Sequence, residues 1–215
     1  MAVRRWSRKL LAIVRVRLRC RGLSGKLPER CLLVLNHVSW IDIFLLDALH
    51  PAVFVAKAEI ARWPLFGTIA RGIGTVFIER GSRRSAQRTN RHIAEVLASG
   101  SPVACFPEGS TSYGHAVGRF HGALFQPAID SDATVVPVVL RYVDSDGKLS
   151  VASAYVGEHS LLRSVWTLLA ERSLIAELRF LPAVHANGRD RRSFARQVQD
   201  DIARALGAAP ARHLE

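Results

Sequence analysis

Two hydrophobic periods divide this chain, and each change of period marks where one element gives way to the next. Trp6, Leu10, Ile13 and Val14 recur at helical spacing, with Arg5, Arg8, Lys9 and Ala12 between them. That pattern predicts a short basic amphipathic helix. From Val14 the period falls to two: Val14, Val16, Leu18 and Cys20 alternate with arginines, which predicts a half-exposed strand with one basic face. Further apolar runs predict strands over 31–35, 52–55, 75–79, 102–106, 135–142, 149–155 and 175–181. Between them, helical spacing predicts helices over 41–49, 64–71, 83–98, 122–130, 160–171 and 193–206.

Strands alternating with helices imply an α/β fold: a single domain whose central mixed sheet is covered by helices, preceded by the basic amphipathic helix. Residues 1–26 form a basic, membrane-facing segment in this reading, and 27–215 form the main body. There is no internal repeat, and Asp144-Ser-Asp-Gly147 has the composition of a surface turn. Pro137 lies inside the run 134–142, so that strand is expected to lie near an edge or a bulge.

Charge sharpens the picture. The net charge is +12, and nine basic side chains precede the first acid, Glu29. Such a segment suits an anionic partner: an acidic lipid surface, phosphorylated substrates or nucleic acid. The first helix can lie in an anionic membrane interface or pack its apolar stripe on the domain; its sequence fits both. No run approaches the ~18 apolar residues of a membrane-spanning helix. Three cysteines without metal spacing suit buried thiols in a reducing compartment. Few aromatics are interleaved with the basic residues, and no nucleic-acid-binding module is recognisable, so no nucleic-acid partner is expected.

The candidate chemistry begins at Leu35-Asn-His-Val-Ser-Trp-Ile-Asp42. His37 and Asp42 are five positions apart, a rotation of about 140° on a helix, so they meet only if the chain turns between them. A strand ending near Asn36 and a Ser39-x-x-Asp42 cap before a helix supply that turn. An Asp on one imidazole nitrogen fixes the tautomer and leaves the other nitrogen free to take a proton. The same spacing recurs at His185 and Asp190, where an Asn-Gly turn reads as a solvated loop. Residues 74–84 run from a strand through Arg80 into a helix capped by Ser82. Its first turn carries Arg83 and Arg84 against the helix dipole, a conflict that a bound phosphate would resolve. Residues 104–111 form a buried strand that breaks at Pro107-Glu108-Gly109, where glycine permits close approach of backbone and ligand.

In order, these stretches resemble the motifs of the phospholipid/glycerol acyltransferase superfamily. The residues that carry the likeness are Asn36-His37-x4-Asp42, Gly74-x-x-Phe77-Ile78-x-Arg80, Phe106-Pro107-Glu108-Gly109-Ser110 and Val136-Pro137-Val138, over roughly 30–142. The resemblance implies acyl transfer from acyl-CoA or acyl carrier protein to a lysolipid hydroxyl, with 1-acylglycerol 3-phosphate as first choice and phosphatidic acid as product. It implies His37 as base, Asp42 as its orienting partner, and Arg80, Glu108, Gly109 and Ser110 as acceptor-binding residues. Amides around Gly109 would stabilise the oxyanion, Asn36 and Lys57 would support the site, and Pro137 would shape the acyl side. It implies no metal, and a peripheral station on the cytoplasmic face of an anionic membrane. Two departures stand out. Ser110-Thr111 replaces the usual Thr-Arg, which removes a phosphate partner that Lys57, Arg83, Arg84 or Arg119 would have to replace. That variant resembles members that acylate lyso-ornithine lipid. The basic segment also stands where many relatives carry an N-terminal membrane anchor.

Overall fold

Cys31-Leu-Leu-Val-Leu35 carries no polar side chain, and every residue of it is buried. A strand with two apolar faces belongs at the middle of a sheet covered on both sides, and that is its position in the computed structural model, which describes residues 2–23, 25–62, 66–72, 74–78, 83–157, 160–171 and 173–207. Seven strands are described: β1 (Arg17–Arg21), β2 (Cys31–Leu35), β3 (Val53–Lys57), β4 (Val76–Ile78), β5 (Val103–Cys105), β6 (Thr134–Val143) and β7 (Ile175–Phe180). They form one sheet in the order β1-β7-β6-β2-β5-β3-β4. From β6 through β4 the strands are parallel; β7 runs antiparallel to β6, and β1 is parallel to β7. The sheet is mixed, and the molecule is a single α/β domain.

Alternation along β2 and β6 distributes the core. Leu33, Leu35, Val138, Leu140 and Tyr142 point to one face, under α1 (Ala2–Ile13), α2 (Asp42–Leu49) and α6 (Leu161–Ala170). Leu32, Val34, Val135 and Val139 point to the other, under α4 (Arg83–Ala98), α5 (Gln126–Asp130) and α7 (Arg191–Leu206). The short α3 (Phe66–Gly72) lies between β3 and β4 in the chain. Helix 83–98 has its expected bounds, whereas 122–130 divides into a 3₁₀ turn, Gly122–Phe125, and α5.

The basic segment is built into the sheet. Arg15 has φ 56°, a left-handed corner, and β1 begins at Arg17, three residues after the period-two pattern starts at Val14. Val14 and Val16 are buried in that corner, while β1 is an edge strand with four of its five residues exposed. Cys20 is one of them and not a buried thiol; Cys31 and Cys105 are buried, which pushes their thiols up to about 11 and about 12. Arg4 and Arg8 of α1 each direct Nε to the carbonyl of Ala48, at 3.3 and 3.0 Å, which places two cations at the C-terminus of α2.

Two expectations meet the sheet differently. Residues 149–155 form no strand: only Leu149 makes a bridge, to Val143, and the chain turns at 152–153. The preceding turn folds as expected, with Asp144 Oδ1 accepting from the amides of Asp146 and Lys148. Pro137 lies in β6, two strands in from the sheet edge, beside a register break. Val138 is opposite Phe180 but Val135 is opposite Val184, so β7 and its continuation supply one extra residue across from it. The missing N–H faces that bulge.

Candidate active site

The parallel strands β2, β3, β4, β5 and β6 end at one edge of the sheet, the usual seat of ligand sites in open α/β sheets. Asn36 is the first residue past β2, and it is fully buried. Its side chain donates to the carbonyl of Leu140 at 2.9 Å and accepts from the amide of Leu140 at 2.8 Å. The amide side chain thus extends the β2–β6 ladder by one rung while freeing the backbone to turn. Asn36→Leu keeps the volume but leaves two buried backbone groups of β6 unpaired. It is expected to lower stability by roughly 2–5 kcal/mol, read from the urea midpoint.

His37 follows in the turn. Its Nδ1 lies 2.8 Å from Asp42 Oδ2, and the same oxygen accepts from the amides of Val38 and Ser39 at 2.8 and 2.9 Å. Asp42 Oδ1 accepts from the Tyr142 hydroxyl at 2.5 Å. Asp42 is wholly buried and the His37 side chain is 19 % exposed. Burial first, and the adjacent Asp42 charge second, hold the Tyr142 hydroxyl well above its ordinary pKa, so it stays a donor. Since Asp42 Oδ2 already accepts two N–H groups, its contact with Nδ1 is a third donation, which leaves the lone pair on Nε2. Nε2 has no partner among the described residues. The ring stacks on Phe106 at 4.0 Å between centroids, and Phe106 stacks on Phe54 behind it.

The expected Ser39 cap does not form. Among the described residues its Oγ has no partner, and α2 begins at Asp42, after Ile41. The carboxylate takes the turn amides that a capping hydroxyl would have taken. It does so from the first helical position.

After β5, the loop closes on the same turn. Gly109 has φ 70°, the left-handed region, and its N–H donates to the carbonyl of Phe106 at 3.1 Å. That amide is spent within the loop, whereas those of Ser110 and Thr111 have no acceptor among the described residues. Glu108 accepts from the amide of His37 through Oε1 and from that of Gly118 through Oε2, each at 2.8 Å. Burial raises its pKa, and the two amide bonds oppose that rise. The carbonyl of His37 accepts from the amide and the hydroxyl of Ser112, and the hydroxyl of Thr111 donates to the carbonyl of Tyr155. Ser110 itself is exposed.

Lys57 ends β3 at this edge, and β4 ends there at Ile78. Arg80 and Ser82 lie outside the described residues; α4 begins at Arg83 with no acid in its first turn. Pro137 is paired with Val34, two residues short of Asn36, below the turn. The second His-x4-Asp stretch is built otherwise. Asp190 caps α7, accepting from the amides of Arg192 and Ser193, after a turn in which Asn187 and Gly188 both have positive φ. Among the described residues His185 has no bond to it.

The sequence model of the Acyltransferase family matches residues 17–141, which include the His37 turn, Lys57, Glu108 and Pro137. The chain belongs to that family. It is an acyltransferase enzyme. Among its relatives, the 1-acyl-sn-glycerol-3-phosphate acyltransferase of Neisseria gonorrhoeae is 39% identical over 176 residues, covering 81% of this chain and 69% of the relative. The lyso-ornithine lipid O-acyltransferase of Pseudomonas aeruginosa is 37% identical over 202 residues, covering 94% and 76%. The fold of this acyltransferase is similar to the crystal structure of the 1-acyl-sn-glycerophosphate (LPA) acyltransferase from Thermotoga maritima. The TM-score is 0.69 over all of this chain and 80% of that one, at 19% identity.

Tyr142 is the site residue that the motifs do not announce. The available signal was a tyrosine on the inward-facing register of a buried strand, whose hydroxyl must find a partner.

Proposed function

We propose that this acyltransferase is a lysolipid O-acyltransferase that uses acyl-CoA or acyl carrier protein as donor and works by direct transfer. The observation that carries the reading is the His37–Asp42 pair at 2.8 Å, with Nε2 unengaged, at the strand-end edge. The acceptor hydroxyl gives its proton to Nε2 while its oxygen attacks the thioester carbonyl. Asp42 balances the charge on the imidazolium. The tetrahedral intermediate then expels the thiolate, which takes the proton back from Nε2, leaving ester, thiol and a restored imidazole. Base catalysis of this kind contributes ~10²–10⁴ in rate.

The amides of Ser110 and Thr111 are the donors for the oxyanion in this mechanism, since that of Gly109 closes its own turn. Glu108 has both oxygens on backbone amides and acts by holding the acceptor loop against His37. Gly109, Ser110 and Arg80 would then line the acceptor, with Lys57 as an added cation. Asn36 supports the turn, and Pro137 shapes the strand behind it. No step requires a metal. Residues 1–26 serve as the membrane-facing segment and 27–215 as the catalytic body, stationed peripherally on the cytoplasmic face of an anionic membrane. Among the described residues no helix is long and apolar enough to cross one.

The first acceptor is 1-acylglycerol 3-phosphate, which agrees with the name of the Neisseria relative. Lyso-ornithine lipid is the second reading. It is favoured by Ser110-Thr111 in place of Thr-Arg and by the match to the Pseudomonas relative over 94% of this chain. Transfer from labelled acyl-CoA and acyl carrier protein to both acceptors on anionic liposomes decides between them. The expected result is a preference of at least ~10-fold for one head group, the scale of one lost charged contact. No transfer with any pairing overturns the proposal.

A further inference from the structure

Among the described residues six large apolar side chains are exposed, and their distribution is uneven: Trp6 and Ile13 on α1, Leu162 and Trp166 on α6, Tyr113 and Val151 in loops. None lies on α4, α5 or α7, the helices of the opposite face. The loop and α6 members belong to segments tied to one turn. Tyr113 follows Ser112, whose amide and hydroxyl bond the carbonyl of His37. Val151 opens the turn that leads to Tyr155, whose amide bonds the carbonyl of Val38 at 3.0 Å. In α6, Ser164 accepts from the Trp40 indole at 3.0 Å. Trp6 packs edge-on against Phe44 of α2, and Trp40 also meets Phe44 edge-on. An apolar rim thus runs beside the His37 turn.

Helix α6 supplies the strongest part of it. Leu162 and Trp166 are four residues apart, on one face, and are 73% and 71% exposed. Ser164 and Leu168 occupy the inward face. The single charge of the helix is Arg163, which is exposed beside them, and neither α6 nor α1 contains an acid. On α1 an open concavity of about 700 Å³ is lined by Arg4, Arg5, Arg8 and Lys9 together with Ala2 and Ala12. An apolar helix face containing tryptophan, flanked by cations that pair with no acid among the described residues, matches an anionic lipid–water interface on both counts.

We infer that the outer face of α6, with Leu162 and Trp166 inserted and Arg163 at head-group level, docks this protein on an anionic bilayer, so that the edge carrying His37 faces the lipid. The cations of α1 supply the long-range attraction, and α6 supplies the apolar hold. The inference rests on the lysolipid reading only for the use of such an orientation; its test involves no turnover.

The full chain is sedimented with vesicles of phosphatidylglycerol and phosphatidylethanolamine, and with vesicles of phosphatidylcholine alone. Wild type is expected to prefer the anionic vesicles. Leu162→Ser/Trp166→Ser is expected to lose on the order of 30-fold in partitioning to them, the loss of two partly buried apolar side chains. Trp166→Phe is expected to keep most of the binding. Arg5→Gln/Lys9→Gln is expected to reduce the salt-dependent part. Circular dichroism checks that each variant is folded. Equal partitioning of wild type and the double serine variant overturns the inference. So does a wild-type dimer, seen by light scattering, that the double variant converts to monomer, since the face would then cover a second copy. Vesicle binding through α6 without any acyl transfer would sink the proposed function and leave this inference standing; transfer with α6 dispensable for binding would do the reverse.

Discussion

His37→Ala is expected to lower acyl transfer by ~10²–10⁴, while His185→Ala leaves it unchanged. The backbone of residue 37 is held by Glu108 on its amide and Ser112 on its carbonyl, and an alanine keeps both bonds. Only the imidazole is lost, from a position already open to solvent on one side. The loss should therefore appear chiefly in the rate, with a modest drop in melting temperature from the lost bond to Asp42 and the lost stack on Phe106. Asp190 caps a helix, and among the described residues His185 has no bond to it that could orient the ring. The check is transfer of labelled acyl groups from acyl-CoA to the favoured lysolipid on anionic liposomes, for wild type and both variants. Full activity in His37→Ala would refute base catalysis at this position. Equal losses in both variants would mean that histidine replacement acts through stability.

The sheet was legible because its strands are short apolar runs bounded by turns, and a buried parallel strand such as Cys31–Leu35 leaves little else to infer. The run 149–155 misleads for a physical reason. A strand following the Asp144–Gly147 turn would return along β6, but β7 flanks β6 from Val138 to Val143 and β2 flanks it as far as Val138, with Asn36 bonded to Leu140. Only the last residues of β6 keep an open side, so Leu149 makes one bridge, to Val143, and the chain leaves. Alternation in a sequence records which residues would fit a sheet, not whether a neighbouring strand is vacant.

At the site, the spacing of His37 and Asp42 carried the pairing but not the local geometry. Ser39-x-x-Asp42 looks like a capping box, yet the carboxylate receives the turn amides itself. Glu108 reads as a ligand-binding acid, although its two oxygens clamp the amides of His37 and Gly118. Tyr142 is 100 positions from Asp42, so their contact depends on β6 lying beside β2, which no local pattern encodes.

That contact determines what Asp42→Asn should do. Oδ2 receives three N–H donors, from Val38, Ser39 and His37, so the amide oxygen of asparagine must take that place; the opposite flip would set donors against donors. The NH₂ group then occupies the position of Oδ1 and meets the Tyr142 hydroxyl, which can rotate to accept. Every hydrogen bond survives, and His37 keeps its proton on Nδ1. What disappears is the negative charge that balances the imidazolium as it forms. Asp42→Asn is therefore expected to remain folded, within about 1–2 kcal/mol of wild type, while kcat falls by roughly 10²–10³ and KM for the lysolipid hardly moves. Asp42→Ala separates charge from architecture. It strands two turn amides and the Tyr142 hydroxyl in a fully buried space, at an expected cost on the order of 3–5 kcal/mol. Urea unfolding of both variants, beside their kcat and KM, makes the comparison. If Asp42→Asn retains wild-type kcat, the charge has no part in the reaction and Asp42 serves the turn alone. If it loses as much stability as Asp42→Ala, the Tyr142 hydroxyl is fixed as a donor and cannot adapt.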